Sequence, residues 1–552
     1  MVPTSRVLLY LLTMLCRFLL ASLCINAILS EPAISPKLRR LAELAKCQHL
    51  GDVYATVLDQ MKVRWWGRSR LEMGALMWIS NSERPLHTSE LCHALGVELG
   101  SADLDVENVP TIRELVRRSL GLIKVEESSS TVRLIHPTLR EYLSNNPSLF
   151  QSPHSMIAEV CLTYLNFRCV RELSPTLRSA PPTFPLVEYA SCYWGTHMVK
   201  GEEAGRVTSL ALGLLMGFEE HISSRLLWLH YYQNIYRLSP SIGKGNSTIR
   251  FTGLHGAASL GMREIVTALL AMKEWNINRG DIMGQTALAG AAVGGHEDVV
   301  KILLRLKGIN PNAAEAGCGR TPLWWAAQHG DEGIVKLLLE REDIDPNTSD
   351  TLSGRTPLWW AAKAGHEGIV RLLLERVNIN PNTPDTKYGR TPLWWAAKAG
   401  HERVVKLLLE RDDTNPNTAD TKYSRTPLLW AEMGRYEAIV ELLLEREDPN
   451  PHTLGLGEEV LELAASREDA GVVQLLPQPR PSLPNPGDAT EAPEHPPAAC
   501  PSSSKPLPPA PRAPPVNLIL SFVVISSLVF LIYLLAPIGL SLLAFSLWWF
   551  YS

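Results

Sequence analysis

The stretch Thr391-Pro-Leu-Trp-Trp-Ala-Ala-Lys-Ala-Gly400-His-Glu-Arg-Val-Val-Lys-Leu-Leu-Leu409 decides the fold. Thr391 is placed to cap a helix whose first turn holds Pro392, where a missing N–H costs nothing. Ala396 and Ala397 are small enough for a neighbouring helix to come close, and Gly400 ends the helix. His401-Glu402 opens a second helix, with Val404, Val405, Leu407, Leu408 and Leu409 as its apolar face. Asn415-Pro416-Asn417 then breaks helix and turns the chain outward. A helix pair this small cannot bury its apolar face alone; it must stack on a neighbour.

The neighbours are in the sequence. Thr286-Ala-Leu, Thr321-Pro-Leu-Trp-Trp, Thr356-Pro-Leu-Trp-Trp and Thr426-Pro-Leu-Leu-Trp repeat the pattern at a spacing of about 35 residues. Degenerate copies precede (Thr252-Gly-Leu-His-Gly-Ala-Ala) and follow (Leu461-Glu-Leu-Ala-Ala, then Val472 to Leu476), so seven units are expected across 251–476. The pattern resembles the ankyrin repeat, Thr-Pro-Leu-His-x-Ala-Ala…Gly-His…Val-x-x-Leu-Leu. Two departures stand out: tryptophan replaces the histidine at Trp324, Trp359 and Trp394, and the period is about two residues longer than usual. The resemblance implies a mostly α solenoid whose ribbed surface binds a protein partner.

Composition narrows the function. The chain has 552 residues, 53 Lys and Arg against 57 Asp and Glu, and the signs are interspersed, so no basic stripe calls for nucleic acid. Nine cysteines without a CxxC pair argue against disulfides or a zinc site and fit reduced thiols. No HExxH, GxSxG, kinase signature or Cys/His cluster is present, so neither enzyme activity nor a cofactor is expected. The sequons at Asn246 and Asn347 matter only if the chain enters the secretory lumen.

Both ends are apolar. Residues 516–552 carry no charge, and Val516 to Leu535 has about the length a membrane-crossing helix needs. Pro537 and Gly539 leave one kinked helix and a short hairpin equally open. Lys505 and Arg512 before this segment, with nothing basic after it, predict a membrane location with the repeats in the cytosol. Residues 1–35 read as a signal, an anchor or helices of another kind, Arg17 dividing the apolar run. Fifteen prolines between Pro477 and Pro515 predict an extended, disordered linker.

Before the repeats, 36–150 reads as a winged-helix region and 151–250 as a helical linker. A capped helix is expected from Thr88 to Leu95 and another near Thr111 to Leu120. Two strands should follow, Gly121 to Val125 and Thr131 to Ile135, then a helix after His136-Pro137. Trp78-Ile79, Arg84-Pro85-Leu86, Glu90-Leu91, Ile135-His136-Pro137, Pro185 to Ala190 and Trp194-Gly195-Thr196-His197 resemble the segment after the nucleotide-binding domain in fungal NACHT–ankyrin proteins of the STAND (NLR-like) class. The resemblance implies that His136 is similar to a nucleotide-contacting histidine. The nearest phosphate-loop string, Ser241 to Thr248, however, has Gly245 where Ser or Thr must follow the lysine. The chain is thus like the back half of such a receptor, and His136 reads as a helix-start or packing residue.

The tryptophan pairs, by their register beside the small alanines, predict packing between repeats. Candidate partner contacts are Arg320, Arg355, Arg390 and Arg425 before each threonine, Gln328, Lys363 and Lys398 one turn into the helix, and finger residues such as Asp350, Lys387, Tyr388, Lys422 and Tyr423. They form a basic line with interleaved aromatics, suited to an acidic strip. The alternative is a solvated face with i,i+4 pairs such as Glu367–Arg371. The expected function is a membrane-anchored ankyrin scaffold or receptor fragment. The alternatives are a regulatory partner of an intact NACHT protein in fungal non-self recognition, or a truncated gene product.

Overall fold

The computed structural model describes residues 50–63, 70–177, 179–201, 205–236, 249–272 and 274–446. The chain divides into two compact units, Met1–Gln478 and Pro479–Ser552, the second wholly outside the described residues.

The first block contains α1 (Leu50–Val63), α2 (Arg70–Asn81), β1 (Leu86–His87), α3 (Thr88–Gly96), α4 (Ile112–Arg118), β2 (Ile123–Glu126), β3 (Thr131–Leu134) and α5 (Pro137–Asn145). The strands form one antiparallel sheet in the order β1-β3-β2, with Leu86 opposite Val132 and Ile123 opposite Leu134. The two expected strands are the wing. The third, β1, has only two residues and so offers no alternation to read. His87 caps α3, and its N–H is taken by the Glu90 carboxylate at 2.8 Å. His136 is the N-cap of α5, its Nδ1 accepting the Thr138 N–H at 3.3 Å.

The second block is α6 (Pro153–Leu165), α7 (Arg168–Arg171), α8 (Leu186–Lys200), α9 (Gly205–Leu215) and α10 (Ile222–Tyr236). Helix α8 packs on α6 and α10, burying Ile157, Cys161, Leu162, Leu186, Val187 and Trp194. Gly195 sets the approach of this block to the repeats. A Cβ there would lie 2.2 Å from the end of the Met262 side chain and 2.6 Å from that of Leu260, so any larger residue would make both side chains give way. The junction is also polar. Trp228 Nε1 and the Tyr232 hydroxyl donate to one Asp281 oxygen, at 2.8 and 2.9 Å. The five described cysteines, Cys92, Cys161, Cys169, Cys192 and Cys318, are unpaired.

Six repeats lie within the described residues. Their helix pairs are α11/α12 (Gly253–Ser259, Arg263–Met272), α13/α14 (Ala287–Val293, Glu297–Leu304), α15/α16 (Pro322–His329, Glu332–Leu339), α17/α18 (Pro357–Ala364, Glu367–Leu374), α19/α20 (Pro392–Ala399, Glu402–Leu409) and α21/α22 (Pro427–Gly434, Glu437–Leu444). First helices stack on first helices and second on second. Each threonine caps as expected: Thr321, Thr356 and Thr391 Oγ1 accept the N–H three residues on at 3.2 Å. Gly365 ends α17 in the left-handed region, at φ 78°, with the His401 ring of the next repeat 2.7 Å from where a Cβ would sit. The seventh unit and the string Ser241 to Thr248 lie outside the described residues, as do 1–35 and the proline-rich 477–515.

The expected fold class is corrected in one respect. Among the described residues no helix is long and apolar enough to cross a membrane: the longest, α8 and α10, have 15 residues, short of the roughly 20 that a span needs. The segment 516–552, on which a transmembrane helix or hairpin was expected, lies outside the described residues. The fold is a mostly helical ankyrin-repeat solenoid preceded by a helical, winged-helix region.

Candidate interaction surface

The side of the array built by the first helices carries a continuous aromatic zipper. Trp325, Trp324, Trp360, Trp359, Trp395, Trp394 and Trp430 meet in sequence, each edge to face with the next, at centroid distances of 5.0–5.4 Å. The first tryptophan of each pair is buried and reaches the next repeat: Trp324, Trp359 and Trp394 Nε1 donate to the carbonyls of Arg355, Arg390 and Arg425 at 2.9, 3.0 and 2.9 Å. This is the packing role that their register implied. It also explains the departure from histidine, since a wider ring system spans from one repeat to the next. The second tryptophan is different except in the first pair, where Trp325 Nε1 donates to the Glu315 carboxylate at 2.9 Å. Among the described residues, the indole N–H groups of Trp360, Trp395 and Trp430 have no hydrogen-bond partner.

The candidate cations lie on these rings. The Arg355 guanidinium sits 4.5 Å from the Trp359 ring centroid, Arg390 4.4 Å from Trp394, Arg320 4.7 Å from Trp324 and Arg425 5.3 Å from Trp430. Lys363 bridges Trp360 and Trp395, at 4.9 and 4.8 Å, and Lys398 lies 4.2 Å from Trp430. Burial holds both lysines below the ordinary lysine pKa, and the neighbouring cations Arg355 and Arg390 add to that. Gln328 occupies the lysine position in an earlier repeat, its Oε1 buried without a hydrogen-bond partner among the described residues. In the fingers, Arg390 also stacks 4.3 Å from the half-buried Tyr388, and Lys422 lies 4.7 Å from the exposed Tyr423. The candidate residues are therefore brought together, but the arginines are packed against rings rather than reaching freely into solvent. Asp350 is buried and spends its carboxylate on the N–H groups of Leu352, Ser353 and Arg355, which shapes the finger.

Two ladders on other edges of the array escaped the sequence reading. Asn278, Asn312, Asn347 and Asn382 each donate to a carbonyl of the next repeat and accept an N–H from it; for Asn347 these are Asn378 O at 2.7 Å and Asn380 N at 2.8 Å. Arg341, Arg376, Arg411 and Arg446 reach back to Leu304, Leu339, Leu374 and Leu409, placing a cation at the carbonyl end of each preceding second helix. The recurrence of Pro-Asn, at Asn312, Asn347 and Asn382, and of Leu-Glu-Arg at the repeat period was the available signal for both.

In the winged-helix and helical blocks, the family-like motif residues converge on Tyr189. Trp78 meets its ring edge-on at 5.8 Å and Arg84 lies over it at 5.2 Å, while Arg84 also grips Glu90 through two bonds of 2.8 and 2.6 Å. The Tyr189 hydroxyl accepts the Glu83 N–H at 3.1 Å and bonds His197 Nε2 at 2.9 Å.

Comparison with known proteins agrees with this division. Overlapping segments 236–315, 254–350, 307–385, 323–420 and 379–453 match the family described as ankyrin repeats (3 copies). Residues 58–155 match the family described as GPI inositol-deacylase, winged helix domain. No curated protein matches the chain. Among solved structures, the ankyrin repeat protein EF0377 is 25% identical, with a TM-score of 0.32, and covers 35% of this chain and 96% of its own. An ankyrin repeat domain from Acinetobacter baumannii AYE is 29% identical, with a TM-score of 0.31, and covers 35% of this chain and 95% of its own. The chain thus joins a winged-helix domain of the GPI inositol-deacylase type to an array of ankyrin repeats.

Proposed function

We propose that the protein is an interaction scaffold whose tryptophan-lined side takes an extended acidic segment of a protein partner. Ankyrin-repeat folds are typical of non-enzymatic scaffolds. One contrast supports the choice of face. Arg341, Arg371 and Arg411 pair with Asp343, Glu367 and Asp413 at 2.7–2.8 Å. Arg355, Arg390, Arg425, Lys363 and Lys398, among the described residues, form no ion pair and rest on indole faces instead. A guanidinium resting on a ring without a carboxylate partner keeps its charge unneutralised, and its fork of donors suits bidentate carboxylates.

The test is capture of a glutamate-rich peptide, against a lysine-rich control, by the immobilised full chain. Reversing both Arg355 and Arg390 to Glu is expected to weaken capture about tenfold or more, and added salt should weaken it further. Circular dichroism checks that the variant remains folded. Undiminished capture by the double variant would remove this face from consideration.

A second reading has its own support: a winged-helix match at 58–155, ahead of the repeats with one helical block between, fits a regulatory partner acting with an intact NACHT protein. Co-precipitation with such a protein, lost when residues 58–155 are deleted, would favour it.

A further inference from the structure

The region before the repeats holds a cluster that the scaffold reading leaves unused. Glu83 follows α2, His154 lies in the first turn of α6 and His197 in the last turn of α8. One ligand atom from each lies within 4.8 Å of the other two. The two imidazoles face one another through the same atom, His154 Nδ1 to His197 Nδ1, at 2.8 Å, with their planes 30° apart. We propose that His154, His197 and Glu83 form a binding site for a divalent transition-metal ion of the zinc type.

Donor chemistry, outer contacts and access all support the assignment. Two imidazole nitrogens and a carboxylate suit zinc, cobalt or nickel rather than calcium or magnesium, which take oxygen ligands. Three protein ligands also leave a fourth position for water. The outer contacts are those a bound histidine needs: the Tyr189 hydroxyl lies 2.9 Å from the second nitrogen of His197 and is itself fixed by the Glu83 N–H. Access is provided as well. His154 lines a cavity of about 330 Å³ together with Ser80, Ser152 and Lys200.

The geometry also says what must move. Two nitrogens on a tetrahedral ion stand about 3.3 Å apart at ordinary zinc–nitrogen lengths, so the imidazoles open by about half an ångström. His154, the less buried of the two, is the one free to do so. Lys200 Nζ lies 2.7 Å from Glu83 Oε1 and holds the carboxylate that the ion would claim. The ammonium is therefore a competitor, and this yields a test in both directions.

The experiment uses the full chain, stripped with a chelator and titrated at neutral pH with Co²⁺ alone and then with Zn²⁺. The visible absorption of the cobalt and the heat of zinc binding are read together. The wild-type chain is expected to develop the intense bands of four-coordinate cobalt, which zinc then bleaches. His154→Ala should lose one equivalent of this binding or weaken it about tenfold or more, and His154→Asp, which restores a ligand, should recover part of it. Lys200→Gln should tighten binding several-fold by freeing Glu83. Absence of the cobalt bands in the wild-type chain would overturn the proposal. So would equal stoichiometry and affinity in wild type and His154→Ala. If His154→Ala fails to fold, Lys200→Gln decides: affinity no tighter than that of the wild type overturns the site.

Discussion

From Thr321 to Arg446 nearly every stabilising contact is a copy of another about 35 residues away, whereas the blocks between Arg70 and Tyr236 use each of theirs once. The array repeats one tryptophan bridge, one asparagine clasp and one arginine back-reach at successive interfaces. The earlier blocks gather Trp78, Glu83, Arg84, Tyr189 and His197 from distant parts of the chain into a single knot. A repeat array spreads its stability over nearest-neighbour interfaces, so damage stays near its origin. A knot concentrates stability, so damage there reaches every element tied into it. The two regions should therefore fail differently.

Acid offers the largest separation. Burial depresses His197 to about 3, and His221 and His255 to about 4, from an ordinary value near 6.5. Between those values the unfolded chain binds protons that the folded chain refuses, so this stability is whole above about 6.5 and is lost as pH falls toward 4. Summed over three groups the loss is on the order of several kcal/mol, placed in the helical block and the first repeat. Hydrogen exchange at falling pH should show protection lost there before it is lost from Pro357 to Leu444. Simultaneous loss along the whole chain would contradict the comparison.

Truncating a core tryptophan comes next. Trp359→Ala removes a fully buried ring and its bond to Arg390, at a cost of about 3–5 kcal/mol. Because the loss falls on one interface, denaturant unfolding of the array should split into two steps. Trp194→Ala, equally buried in the helical block, should lower one undivided transition. Like behaviour of the two variants would show that the regions do not differ in this way.

The smallest effect is the most local. Asn347→Ala deletes both bonds of one clasp at an exposed edge, and about 1 kcal/mol of destabilisation is expected from denaturant midpoints. Asn382→Ala should cost about the same, since it removes the same clasp one repeat later. Unequal costs would show that the copies are not energetically equivalent.

The repeats were legible because the information that makes them is local. A threonine cap, a proline in the first turn, paired alanines and a terminating glycine act within a dozen residues, and the period shows that each unit meets a copy of itself. The wing was legible for the same reason, its two longer strands each reading as a short apolar run. The asparagine clasp was not, because Asn-Pro-Asn has a sufficient local meaning as a helix breaker and its partners lie more than 30 residues on. Nor did composition distinguish the arginines that lie on tryptophan from those that pair with acids.

The amino-acid order by itself determined the helix pairs, their number per length and the fact that they must stack, since propensity, capping and apolar spacing operate along the chain. Only the tertiary structure decided which cations rest on rings and which find carboxylates, that Trp360, Trp395 and Trp430 have no N–H partner among the described residues, and that Glu83, His154 and His197 converge. Those outcomes depend on side-chain direction and on the approach of segments far apart in the chain, and neither is encoded in any local run of residues.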